Sequence, residues 1–360
     1  MSIKKVFIIG SAGIPARYGG FETYAENISL KLSQKYDVSV ICSKKLYKKS
    51  ERKDKTGNNI HKIYLSLKPN GIFSLCYDLI SLILAYNKAD FIVMLGTGAG
   101  IFLPLFSIIK PTPIAVHVDG IEWKRIKWNR VIQMFLRINF LLSIKFSNFI
   151  LIDNDALQTH IPKKFTKKIV FTSYGGDHLP ITKQNENKYI HPYALAIARA
   201  EPENNIHIFL EAFKKFNTID LIVVSNWTKT KYGRKLYKRY RDLTNIKLIG
   251  PIYNDKARLQ QYRKNSTVYL HGHSAGGTNP SLVEAMYSDI PIIAFDNVFN
   301  RKTTNNLALF FKTSDDLMDK LQVIADDTLK NTALKMQKFA FEQYTWDNAA
   351  KPLKDLIDRY

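Results

Sequence analysis

The stretch HGHSAGGTNPSLVEAM, residues 271–286, holds the residue types from which an anion site with hydroxyl recognition can be built. Asn279 suits a helix N-cap and Pro280 the first helical position, so a helix is expected to start here, after the apolar strand Thr267–Leu270. Free N–H groups at such a start attract anions, and the backbone from Thr278 and Asn279 to Ser281 and Leu282 is the expected source of them. Gly276 and Gly277 let a ligand approach the main chain closely. Glu284 stands one turn inside the helix, where a carboxylate repels phosphate, so its expected partners are hydroxyls. An anion beside hydroxyls suggests a sugar nucleotide. The bland alternatives are a tight glycine turn and a glutamate on a solvated helix face.

A second set lies in the first half of the chain. Gly19 and Gly20 close the loop GSAGIPARYGG and read either as a tight turn or as a point of contact with a ligand. Asp119 follows the strand Ile114–Val118, where it can meet a sugar hydroxyl or cap the helix that follows. Glu122 and the basic run Lys124, Arg125 and Lys127 come next and suit an anionic ligand. His117, His271 and His273 have no visible acid partner and read as structural hydrogen bonders, His117 being kept for its neighbour Asp119. Trp123, Trp128 and Trp346 read as packing anchors. No metal cluster is evident, and Cys42 with Cys76 gives no disulfide framework, which suits a reducing cytoplasm.

These residues need a scaffold, and the chain supplies two. Lys5–Ile9, Val38–Cys42, Phe91–Leu95 and Ile114–Val118 read as buried strands separated by enough chain for crossovers, hence a parallel sheet. The lysine-dense segment Lys44–Lys68 reads as an exposed loop ending in a strand. Tyr193–Ala198, Leu221–Ser225, Lys247–Ile249, Val268–Leu270 and Ile290–Ala294 form a second series, alternating with helical patterns such as His207–Phe216 and Lys256–Arg263. Lys183–Lys188 sits where a linker would. With 360 residues, two domains are the natural expectation, and open parallel sheets bind ligands at the carboxyl ends of their strands.

The opening MSIKKVFIIGSAG has too short an apolar run for a signal peptide, and Ile72–Tyr86 and Val131–Ile152 are interrupted by Asp78 or by Arg137 and Lys145, short of a membrane span. The formal charge is +22, and +15 of it falls in residues 1–175, a field that favours anionic substrates, lipid headgroups or nucleic acid. On a helix over Lys124–Lys145, Lys127, Arg130, Arg137 and Lys145 project to one broad side with Val131, Phe135 and Leu142 largely elsewhere. That face is either solvated or laid on an anionic bilayer.

Taken in order, GSAGIPARYGGFETYAENI, VDGIEWKRIKW, ARAEPENNIHIFLEAF, GGTNPSLVEAM and the closing YTWDNAA resemble the family 4 retaining glycosyltransferases, in the branch of bacterial capsule and O-antigen rhamnosyltransferases. The resemblance runs through almost the whole chain. It implies an α/β GT-B fold: an acceptor-binding Rossmann-like domain over residues 1–175, a nucleotide-sugar-binding one over 176–340 facing it across a cleft, and a C-terminal helix over 341–360 crossing back. It also implies donor-binding roles for Gly19, Gly20, Arg199, Asn204, Gly276, Gly277, Thr278, Asn279, Ser281, Leu282 and Glu284. Acceptor-binding roles fall on Arg17, Tyr18, His117, Asp119, Glu122, Lys124 and Arg125, with Asp119 and Arg199 as the catalytic pair.

Two departures from the family stand out. Gly276 replaces the first of its paired glutamates, removing a carboxylate that helps hold the donor sugar, and Asn204 replaces the lysine that clamps the diphosphate with an arginine, here Arg199. Arg17 is the expected source of the second charge.

The implied activity is transfer of a sugar, L-rhamnose from dTDP-rhamnose, to a polyprenyl-diphosphate-linked saccharide, without metal or other cofactor, by a cytoplasmic protein peripheral to the inner face of the plasma membrane. Two rivals remain open at this level. A GT-B sugar-nucleotide epimerase would act on donor alone; a nucleic-acid-binding protein would explain the charge but lacks any recognisable reading module.

Overall fold

The apolar runs that end in glycine or polar turns become the strands of two separate parallel sheets. The computed structural model describes residues 3–17, 19–53, 59–69, 71, 74–109, 112–125, 128–180, 191–253, 255–324 and 327–360. It divides into two units, Met1–Gly175 with Trp346–Tyr360, and Gly176–Thr345. The expected linker Lys183–Lys188 lies outside the described residues.

In the first unit the strands are β1 (Lys5–Ile9), β2 (Asp37–Ser43), β3 (Ile60–Leu65), β4 (Phe91–Leu95), β5 (Ile114–His117), β6 (Phe149–Ile152) and β7 (Ile169–Phe171), in the order β3-β2-β1-β4-β5-β6-β7. Every pairing is parallel, as in Val6 opposite Val38 and Phe91. Strands covered on both faces can be apolar throughout, and β4 is buried at all five positions. Helices α1 (Gly20–Leu32), α2 (Ser74–Lys88), α3 (Leu103–Ile109) and α4 (Arg130–Phe146) cross between them. β3 is the strand expected at the end of Lys44–Lys68. Strands β6 and β7 were not legible: Phe149–Ile152 continues the apolar run of α4, and only Ser147 and Asn148 separate them, while β7 is three residues after a lysine-rich turn.

The second unit holds β8 (Tyr193–Ile197), β9 (Asp220–Val224), β10 (Ile246–Ile249), β11 (Val268–His271), β12 (Ile292–Phe295) and β13 (Leu309–Phe311), ordered β10-β9-β8-β11-β12-β13 and again parallel. Its helices are α5 (Ile206–Lys215), α6 (Lys231–Tyr240), α7 (Lys256–Lys264), α8 (Pro280–Met286), α9 (Val298–Thr303), α10 (Ser314–Gln322) and α11 (Asp327–Gln343). The core under α5 gathers Phe209, Phe213, Leu221, Val223, Leu270 and Phe311.

The last helix, α12 (Trp346–Arg359), belongs to the first unit. Its buried residues Trp346, Ala349, Ala350, Leu353, Leu356 and Ile357 recur at the three- and four-residue spacing of one helix face. Trp346 packs on Tyr24 and Tyr174 and lies so close to Gly175 that a Cβ there would stand 2.6 Å from the indole ring. Glycine is therefore required at 175. Lys31 of α1 and Lys35 in the turn after it hold Asp347 and Asp358, each at 2.7 Å.

Candidate functional site

In the second unit the loop after β11 leads through Gly276 and Gly277 to α8, with Asn279 as N-cap and Pro280 in the first turn. The cap consumes the amides that were expected to meet an anion. Ser281 N–H donates to Asn279 Oδ1 at 3.0 Å, and Leu282 N–H to the Asn279 carbonyl at 3.0 Å. The Leu282 side chain is buried in the core. The donors left over sit earlier: the amides of Gly276 and Gly277 have no hydrogen-bond partner among the described residues. Both glycines have positive φ, 26° and 76°, and successive amides in a left-handed turn form a concave cradle for an anion. Thr278 is buried behind them. The expectation that the helix start itself binds phosphate through Ser281 and Leu282 is thus corrected in favour of the glycine turn.

Arg199 lies exposed just past the end of β8, and Asn204 shapes the loop around it. Asn204 is not placed to touch a donor directly. It is buried, its Nδ2 donates to the Arg199 carbonyl at 2.8 Å, and its Oδ1 pairs with His273 Nδ1 at 2.8 Å. One N–H and one lone pair of the amide are thereby committed within the protein, and they fix the side chain in place. His273 in turn anchors α9, its carbonyl accepting from Asn297 and Asn300 at 2.9 Å each.

Glu284 is neither solvated nor free. One carboxylate oxygen is ion-paired and hydrogen-bonded with Arg263 of α7, and the other lies 3.6 Å from His178 Nε2. Burial pushes the Glu284 carboxyl up, but Arg263, His178 and Lys256 outweigh it and hold the group below the usual glutamate range. Arg263 is almost wholly buried. Neither it nor His178 was singled out from sequence, since Arg263 sits in KARLQQYRK, a stretch whose composition is that of a solvated helix. A fixed, ionised carboxylate is what recognition of a diol needs.

In the first unit, Asp119 lies two residues past the end of β5, and its φ of 46° is in the left-handed region that Asp tolerates better than most residues. Its side chain has no partner among the described residues, and the following 3-10 turn, Glu122–Lys124, takes Ile121 as N-cap, so Asp119 is not a capping residue. His117 is buried between Phe21 and Tyr24, with Nδ1 accepting the Asp119 amide at 3.4 Å, and burial pushes its pKa down to about 4. It is a neutral packing histidine, not an acceptor contact. Glu122 is paired with Arg125 at 2.7 Å and accepts from Trp128 Nε1 at 3.4 Å. Arg125 is buried, which corrects its expected contact with an anionic acceptor. Lys124 is exposed and lies 3.0 Å from His160 Nε2. Arg17 is ion-paired with Glu51, donates to the Leu46 carbonyl at 2.6 Å and lies over the Tyr47 ring, so the second charge expected of it for a diphosphate is spent on its own neighbours. Gly19 caps α1, with Gly20 as the first helical residue, and Glu22 folds back against Gly19 to accept the Ala12 amide at 2.9 Å. Tyr18 and Lys127 lie outside the described residues.

Asp119, Glu122 and Trp123 line a cavity of about 250 Å³ at the carboxyl ends of β1, β4 and β5, with Phe21 and Asp78 on other walls. Beyond it, α3 packs beside α4 and the pair presents an apolar surface: Leu105, Ile108 and Ile109 on α3, Val131, Met134, Ile138 and Leu141 on α4. Ile108 is 85% and Val131 71% exposed. Arg130, Arg137 and Lys145 share the exposed side of α4. The sequence reading had placed Val131 away from these cations; it lies among them. No helix of the described residues is long and apolar enough to cross a membrane.

Residues 180–357 match the family described as glycosyl transferases group 1. The chain carries a group 1 glycosyltransferase domain. Residues 3–177 match a domain of unknown function, DUF1972. A search of the curated proteins gives no match. Among solved structures the chain is similar to sucrose-phosphate synthase from Thermosynechococcus elongatus, at 12% identity and a TM-score of 0.82 over 99% of both chains. It is also similar to Anabaena HepE in complex with UDP-glucose, at 14%, 0.77 and 100% of both chains, and to a glycosyltransferase from Rickettsia africae, at 12% and 0.71 over 100% of this chain and 99% of that one. The two parallel-sheet, Rossmann-like units are those of the GT-B fold.

Proposed function

We propose that this glycosyltransferase moves L-rhamnose from dTDP-rhamnose to a hydroxyl of a polyprenyl-diphosphate-linked saccharide, with retention of configuration, while resting on the cytoplasmic face of the plasma membrane. The observation that carries the nucleotide-sugar part is the second unit's set of an exposed guanidinium, Arg199, two amides at Gly276 and Gly277 without a partner among the described residues, and one fixed carboxylate, Glu284. In this reading Glu284 holds the ribose diol, the glycine turn and Arg199 hold the diphosphate, and their charge stabilises the leaving group as negative charge builds on it. Asp119 orients the acceptor hydroxyl or takes its proton. Amides and a guanidinium stand here where other transferases use a divalent ion, so transfer is expected to persist in a chelator. HepE, a solved structure of similar fold, holds UDP-glucose, which supports the class of donor.

The rhamnose donor and lipid-linked acceptor rest on the sequence resemblance, and the membrane surface on the mixed apolar and basic face of α3 and α4. A panel of nucleotide sugars tested for heat stabilisation decides the donor. A ligand at 100 times its Kd stabilises by about 2.7 kcal/mol, and dTDP-rhamnose is expected to do so where UDP-glucose does not. Stabilisation by another sugar nucleotide alone replaces the donor; epimerised nucleotide from donor alone replaces the reaction.

A further inference from the structure

Asp78 interrupts an otherwise apolar run, and α2 carries it to the wall of the first-unit cavity. Its carboxylate has no hydrogen-bond or ion-pair partner among the described residues. It reaches the loop after β4 at Gly98, where a Cβ would stand 2.3 Å from Oδ2. Asp78 is half-buried at this wall, and burial pushes its carboxyl up to about 7, with no cation to offset it among the described residues. A sequence that breaks its own apolar pattern at such a cost without local gain does so most often for a ligand.

The rest of the wall defines that ligand's chemistry. Asp119 offers a second carboxylate without a side-chain hydrogen bond among the described residues, Trp123 and Phe21 offer aromatic surface, and among the described residues no lysine or arginine lines the cavity. Arg125, close to this wall, is bound to Glu122, and Lys124 is exposed and lies at His160. Carboxylates without cations repel phosphate and accept hydrogen bonds from hydroxyls, and aromatic rings suit the C–H faces of a pyranose.

We propose that this cavity seats a neutral hexopyranosyl unit of the acceptor, with Asp78 accepting hydrogen bonds from its hydroxyls and Trp123 and Phe21 covering its apolar edge. The proposal rests on the glycosyltransferase reading above for the word acceptor, but binding of the sugar unit is measurable by itself. The anionic part of a lipid-linked acceptor then lies outside this cavity.

The test uses the full chain and a panel of methyl hexopyranosides of rhamnose, glucose, galactose, mannose and N-acetylglucosamine, titrated by ligand-detected NMR. At least one is expected to bind. Asp78→Ala is expected to weaken that binding at least about tenfold, and Gly98→Ala, which removes no polar group but drives a methyl into the carboxylate's place, is expected to do the same. With a complete acceptor, KM for acceptor rises in both variants while kcat stays within about threefold. Heat stabilisation by nucleotide, unchanged in both, shows that the fold and the second unit are intact. No hexoside binding to the wild type, or wild-type affinity in Asp78→Ala, overturns the proposal. Loss of nucleotide stabilisation in the wild type would instead sink the glycosyltransferase reading and leave the hexoside titration readable.

Discussion

The Glu284 carboxylate of α8 is held by the Arg263 guanidinium of α7, and Arg263 is only 2% exposed. A residue expected to reach for a ligand is thus part of an internal ion pair before any ligand arrives. The pair fixes the carboxylate in its charged form and leaves its remaining lone pairs for a diol.

Breaking this pair from one side is expected to cost more than removing it. Arg263→Met leaves an uncompensated buried carboxylate and should destabilise by about 3–5 kcal/mol, whereas Arg263→Met with Glu284→Leu should recover most of that loss. Because the folded Glu284 pKa is depressed, its contribution is present above the ordinary carboxylate range and lost as pH falls through the folded value. Chemical denaturation from pH 7 to 3 should show this slope in the wild type and not in Glu284→Gln. Glu284→Gln should also weaken heat stabilisation by nucleotide while keeping the fold.

Restoring the family's lysine should fail. Asn204→Lys removes two 2.8 Å hydrogen bonds and puts an ammonium at a 5% exposed position, so it should destabilise by about 1–3 kcal/mol without raising turnover. A gain in turnover with unchanged melting temperature would show that position 204 can still face the donor.

How much of this was legible follows from which forces act locally. Strands such as β1, β4 and β11 announce themselves as apolar runs before Gly10, Gly96 and Gly272, and the Asn279-Pro280 helix start is written in two residues. What could not be read was competition. The amides of Ser281 and Leu282 looked free because the cap that consumes them folds back from Asn279, Arg17 and Asn204 looked available because their partners Glu51 and His273 are distant in sequence, and Arg125 because the turn that pairs it with Glu122 has no strong local signal. Arg263 was missed since burial of a guanidinium has no signal in a polar helix. Asp78 did leave a trace, a charge inside an apolar run, but it registered only as an argument against a membrane span.

The exposed face of α3 and α4 makes a separate prediction. Leu105→Asp with Ile108→Asp changes two solvent-exposed side chains, so stability should move by less than about 0.5 kcal/mol. Two such side chains entering lipid contribute about 3 kcal/mol together, so binding to vesicles containing anionic lipid should fall about a hundredfold. Raising salt should weaken wild-type binding through Arg130, Arg137 and Lys145. Undiminished vesicle binding by the double variant would move the membrane contact elsewhere.

Asp78 should also mark itself in the stability of the free protein. A carboxyl held at about 7 against an ordinary 3.8 is harder to ionise folded than unfolded, by up to about 4 kcal/mol, and water at the cavity mouth reduces this. The sign runs opposite to that of Glu284: stability is intact below the unfolded value and is lost as pH rises through the folded one. The other carboxyl groups on the cavity wall are Asp119 and Glu122, the latter neutralised by Arg125, so neither supplies a compensating cation. Asp78→Asn removes the ionisation and should leave stability at pH 4 nearly unchanged while adding about 2 kcal/mol at pH 8, read as urea midpoints across the range. A gain independent of pH would mean that the carboxyl is already solvated, and a loss at every pH would mean that it has a partner it cannot spare.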